Sequence, residues 1–127
     1  MKIKYIILTA LVAVLITVLL IPTPKTAVNR MEERAKNGNV WSQVLVGQVY
    51  AEKGKYKKAL KWFEKAAMQG DNDAYMWLSD WYTSKGNDLA YCTLQIATGR
   101  GLCDGGNQDL IEKAEKKAKS LKKKHSR

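Results

Sequence analysis

The 127-residue chain carries 22 Lys and Arg against 12 Asp and Glu, a net charge of +10, and its 14.3 kDa leave room for one small domain. Such an excess invites nucleic acid, anionic lipid or an acidic protein, yet eight basic residues and one acid fall between Lys113 and Arg127, and the middle of the chain is nearly balanced. One His and two Cys are little material for acid–base chemistry or a metal centre, which argues against an enzyme.

The chain opens on an apolar run, Tyr5 to Ile21, of 17 residues without a charge. As a helix it would extend about 26 Å, enough to cross a hydrocarbon core. A cleavable signal peptide is the rival reading, but Pro22-Thr23-Pro24-Lys25-Thr26-Ala27 offers no small-x-small site. Residues 1–22 are therefore expected to form an uncleaved anchor, and residues 23–29 a stiff tether. Basic residues after the run slightly favour retaining the domain inside. The short Lys-bearing start resembles a signal-anchor, which exports the chain beyond it, and export is the preferred reading.

Residues 30–106 are expected to fold as a helical domain. A shift of 32 residues superposes Gly38-Asn39 on Gly70-Asp71, Val46 on Leu78, Tyr50 on Tyr82 and Lys53-Gly54 on Lys85-Gly86. Such a period, built from paired helices, marks a repeat array. Val40 to about Lys53 reads as one helix, with Val46, Gly47 and Tyr50 inward. Tyr56, Ala59, Leu60, Phe63, Ala66 and Ala67 form one face of the next. Gly70 ends it, Asp71 or Asn72 can cap the helix after it, and Ala74, Leu78, Trp81 and Tyr82 are that helix's stripe.

Tyr50, Gly54, Tyr56, Ala59, Phe63, Ala66-Ala67, Gly70-Asp71, Ala74, Leu78, Tyr82 and Gly86 resemble the Sel-one-like repeat, a branch of the tetratricopeptide class. The likeness spans about residues 38–86. It implies an all-α fold of about two helical hairpins plus a capping helix, adaptor or assembly roles, and a groove lined by the first helix of each hairpin. On those helices the non-core face carries Trp41, Val44 and Gln48, then Asp73, Met76 and Asp80, with Trp77 at the border. These seven are the expected partner-binding residues.

After Gly86 the pattern departs: Tyr91 stands at the place of Ala59 and Gln95 at that of Phe63. A helix is still expected around Leu89–Ala97. Cys92 and Cys103 are either a disulfide, in an oxidising compartment, or two buried thiols. Residues 107–124 read as a capping helix striped by Leu110, Ile111, Ala114, Ala118 and Leu121, with a basic tail to residue 127. Lys116, Lys117, Lys119, Lys122, Lys123 and Lys124 form a solvated helix end or a lipid-facing patch. Nucleic acid is disfavoured because no aromatics interleave with them.

No catalytic constellation, cofactor motif or metal-ligand spacing stands out. His125 lies among lysines, and the glycines of Gly99–Asn107 lack the Lys-Ser/Thr of a phosphate loop. A small-molecule substrate is disfavoured. The expectation is a single-pass protein of the bacterial inner membrane whose periplasmic domain binds an unidentified protein or peptide. An envelope inhibitor or immunity protein is the alternative, and a lipid or nucleic-acid binder acting through the tail is a third reading.

Overall fold

A computed structural model describes residues 2–21, 24–101, 103 and 108–126. Among them the chain forms seven helices: α1 (Lys2–Leu20), α2 (Pro24–Lys36), α3 (Val40–Glu52), α4 (Tyr56–Met68), α5 (Asn72–Ser84), α6 (Asp88–Thr98) and α7 (Gln108–His125). It divides into two compact units, Met1–Arg30 and Met31–Arg127.

In the first unit, α1 is long and apolar enough to cross a membrane. Its side chains are exposed along the whole helix, and Thr9 and Thr17 turn their hydroxyls back onto the carbonyls of Ile6 and Val14, so the two polar interruptions add no unpaired donor to the apolar surface. The segment expected as a tether is helical instead, from Pro24 onward. Proline suits the first position of a helix, where its missing N–H would have had no partner and its fixed φ is already helical. Pro22 and Thr23 lie outside the described residues, as do Asn107 at the expected start of the cap, 104–106 of the expected Gly99–Asn107 loop, and Arg127.

Helices α2 to α6 begin at residues 24, 40, 56, 72 and 88, at even intervals. Their punctuation repeats with the same regularity. Gly38 and Gly70 take φ of 92° and 94°, and Gly54 and Gly86 take 69° and 59°, left-handed turns open to glycine. Immediately after the first pair, Asn39 accepts from the Ser42 amide and Asp71 from the Ala74 amide, each at 2.8 Å, capping α3 and α5.

Within Met31–Arg127, α3 packs on α4, α4 on α5, α5 on α6 and α6 on α7. The core runs through Val44, Ala59, Phe63, Ala66, Ala67, Ala74, Leu78 and Leu94. Alanines on α4 let backbones approach, and Phe63 fills the remaining space. The tightest approach is at Gly47, where a Cβ would stand 3.0 Å from the Phe63 ring. A ladder of rings extends the core outward: Phe63 stacks on Trp77 at 4.2 Å between centroids, Trp77 on Trp81 at 5.5 Å, and Tyr56 on Trp81 at 4.6 Å. The last helix covers the end of the stack with buried Ala114 and Ala118.

Polar groups join the same elements. Gln43 is buried on α3; its amide nitrogen donates to the Ala35 carbonyl at 3.0 Å, and its oxygen accepts from Gln69 at 2.8 Å. One period later Tyr75 replaces Gln43, and Arg100 does the joining: its guanidinium lies 4.5 Å over the Tyr75 ring and donates to Asn72 and to the Gly70 carbonyl. Among the described residues no buried side-chain nitrogen or oxygen lacks a partner. Cys92, buried on α6, is bonded to Cys103, their Cα atoms 5.1 Å apart.

Candidate partner-binding face

Each face of α3 and α5 has a distinct fate, set by where the helix meets its neighbours. On α3, Ser42, Gln43, Val44, Val46 and Gly47 are buried, so most of its circumference is covered. Val44, expected on the outward face, is 8% exposed and belongs to the core with Ala59 and Phe63. It is withdrawn from the partner-facing set. Apolar residues stand on every side of this helix (Val40, Val44, Leu45, Val46, Val49), and spacing alone therefore could not separate its inner face from its outer one.

Of the expected residues, those left outward on α3 are Trp41, 65% exposed, and Gln48. On α5 they are Asp73, Met76 and Asp80, with Met76 at 54% exposure and its sulfur 3.6 Å from the Asn72 amide nitrogen. Trp77 is half-buried in the ring ladder between Phe63 and Trp81. Its indole is held by packing rather than displayed. Tyr56, expected within the inner stripe of α4, is 44% exposed and touches Trp81 at the ladder's outer end. Both α3 and α5 pack against α4 on their inner sides.

Two hollows open elsewhere in this unit. One, of about 360 Å³, lies among α4, α5, α6 and α7, walled by Met68, Leu94, Ala97 and Leu121, with Glu64, Lys117 and Lys124 also lining it. The other, of about 480 Å³, is bounded by the end of α2, the start of α3, α4 and the end of α7. Lys116, Lys119, Lys122 and Lys123 line neither. The tail lysines are exposed along α7, whose ion pair joins Lys113 to Asp109, 2.6 Å apart and one turn away. His125 is not fully solvated: it is half-buried, and its Nδ1 donates to the Leu121 carbonyl at 3.0 Å.

The two repeated tyrosines each meet a glutamate of the preceding helix. Tyr50 donates to Glu32, and Tyr82 lies beside the Glu64 carboxylate. The bond to Glu32, then partial burial, raises the Tyr50 phenol; burial, then the Glu64 charge, pushes Tyr82 up to about 12. These pairs, Gln43–Gln69 and the Arg100 staple are not evident from the sequence. The recurrence of Glu32 at Glu64 is the one signal that could have revealed the first of them.

Compared with known proteins, the chain matches no family model, no curated protein and no solved structure.

Proposed function

We propose that this chain is a membrane-anchored protein-binding module, a small Sel-one-like array of the tetratricopeptide class that holds a partner protein or peptide on the outward faces of α3 and α5. One observation carries the reading. In the unit Met31–Arg127, the large apolar side chains left exposed among the described residues are Trp41, Tyr56 and Met76, and two of the three lie on those outward faces. Large aromatic and thioether groups contribute heavily when an interface desolvates them. Gln48, Asp73 and Asp80 supply the polar rim, and the two carboxylates favour a basic or amide-rich contact.

Length and composition of α1 support a single-pass anchor in the bacterial inner membrane. The Cys92–Cys103 bond supports a periplasmic domain, since disulfides persist in oxidising compartments. Confinement to the membrane raises the effective concentration of the module against other envelope proteins without added contacts.

A photo-crosslinking residue placed at Trp41 or Met76 in the full chain, expressed in membranes, should trap one discrete partner. The same group at Lys57, on the exposed side of α4, should not. Equal trapping at all three positions, or none at positions 41 and 76, would overturn the assignment of this face.

A further inference from the structure

The hollow of about 480 Å³ is built from segments far apart in sequence, and the charged groups lining it are lysines. Lys36 comes from the end of α2, Lys65 from α4, and Lys124, beside His125, from the end of α7. Among the described residues no carboxylate lines it, and none of these lysines has an ion pair; the Lys113–Asp109 pair of α7 lies outside the lining. Lys65 is instead drawn 4.6 Å over the Trp62 ring. Three lysines thus border one concavity, and no carboxylate in its lining offsets their like charge.

Packing does not demand these cations. One period on, Lys36 corresponds to Met68 and Lys65 to Ala97, and both of those line the neighbouring hollow of about 360 Å³. The same positions in the same array therefore accept neutral side chains. The wall behind the lysines is also fixed beforehand: Gln69 is bonded to Gln43, and Gln43 to the Ala35 carbonyl. A rigid amide wall faced by long-chain cations suits a compact multivalent anion, whose binding would cost little ordering entropy in the wall.

We propose that this hollow is a binding site for a phosphate-type oxyanion, carried on a lipid headgroup or free in solution. The site is independent of the face that carries Trp41 and Met76. Titration calorimetry on the full chain in uncharged detergent, at constant ionic strength, tests it with two water-soluble probes: inorganic phosphate and glycerophosphoglycerol, the deacylated headgroup of an anionic lipid. Saturable one-to-one binding of either supports the proposal. Heat with inorganic phosphate alone identifies the free ion as the source, and heat with glycerophosphoglycerol identifies the headgroup. Lys36→Gln and Lys124→Gln should each weaken binding about tenfold, the worth of one charge-assisted hydrogen bond. Lys116→Gln and Lys119→Gln remove equal charge from the exposed surface of α7 outside the hollow and should leave binding unchanged. Absence of binding by both probes, or equal weakening by the two pairs of variants, overturns the site.

Discussion

The Tyr50 phenol donates its hydrogen bond to Glu32, and one 32-residue period later the Tyr82 phenol lies close enough to the Glu64 carboxylate for that charge to raise its pKa. The first pair ties α3 to α2 by a hydrogen bond, and the second brings α5 and α4 together through burial and charge. Replacing the Tyr50 phenol by Phe removes the donor and leaves the Glu32 carboxylate to find water. Tyr50→Phe should lose about 1–2 kcal/mol of stability, measured by urea denaturation of the full chain in detergent. No loss in Tyr50→Phe would show that the bond is compensated by solvent.

The same pair sets an alkaline limit. The Tyr82 phenol titrates near 10 when unfolded and at about 12 when folded. A group whose folded value is raised lends stability that is complete below pH 10 and is lost as pH climbs towards 12, because only the unfolded chain then releases the proton. Unfolding free energy should therefore fall above pH 10, and Tyr82→Phe should fall less steeply than the parent over that window. Parallel slopes would remove Tyr82 from the account.

Gly47 and its counterpart Ser79 make a paired test of close packing. A methyl group at Gly47 would meet the Phe63 ring, itself buried, at 3.0–3.1 Å. Alanine is the better helix former by about 1 kcal/mol, but overpacking a core costs about 1–3 kcal/mol. Gly47→Ala should thus destabilise by about 1 kcal/mol. One period on, Gln95 occupies the place of the Phe63 ring and Ser79 already carries a Cβ, so Ser79→Ala should be near neutral. A stabilised Gly47→Ala would mean that the α3–α4 spacing adjusts.

Much of this architecture was legible because glycines and caps punctuate it. Gly54, Gly70 and Gly86 end helices as read from their positions, all in left-handed conformations, and of the two candidates Asp71 and Asn72 it is Asp71 that caps α5; its counterpart Asn39 caps α3 in the same way. Legibility failed where a local rule had two outcomes. Pro24 could begin a helix or stiffen a tether, and it begins α2. Val44 sits on a helix apolar all round, where only the neighbouring α4 decides which side is covered. The Arg100 staple and the hollow lined by Lys36, Lys65 and Lys124 join residues from separate helices, and no spacing along the chain encodes that meeting.

Cys92 and Cys103 close a short loop, 11 positions apart, between α6 and the approach to α7. In the chain-entropy view such a link is worth about 3 kcal/mol. Reduction, or the double change Cys92→Ser with Cys103→Ser, should lower the urea midpoint correspondingly, with the loss concentrated in α6 and α7 by amide exchange. A midpoint indifferent to reductant would show that α7 docks through Ala114 and Ala118 alone.

Val44 and Trp41 lie three positions apart on α3 and should separate stability from recognition. Val44 is buried against α4, so Val44→Ala opens a cavity and should cost about 2 kcal/mol. Trp41 is largely in solvent, so Trp41→Ala should alter stability by no more than about 0.5 kcal/mol. Crosslinking through Met76 reports the other property: it should survive Val44→Ala at temperatures where that variant is folded and should drop sharply in Trp41→Ala. If Val44→Ala instead abolished crosslinking while leaving the unfolding midpoint unchanged, the residue would have to act at the surface, and its place in the core would be wrong. If Trp41→Ala unfolded the chain, the indole would be serving as a cover for α3, and Met76 alone would remain as an anchor on this face.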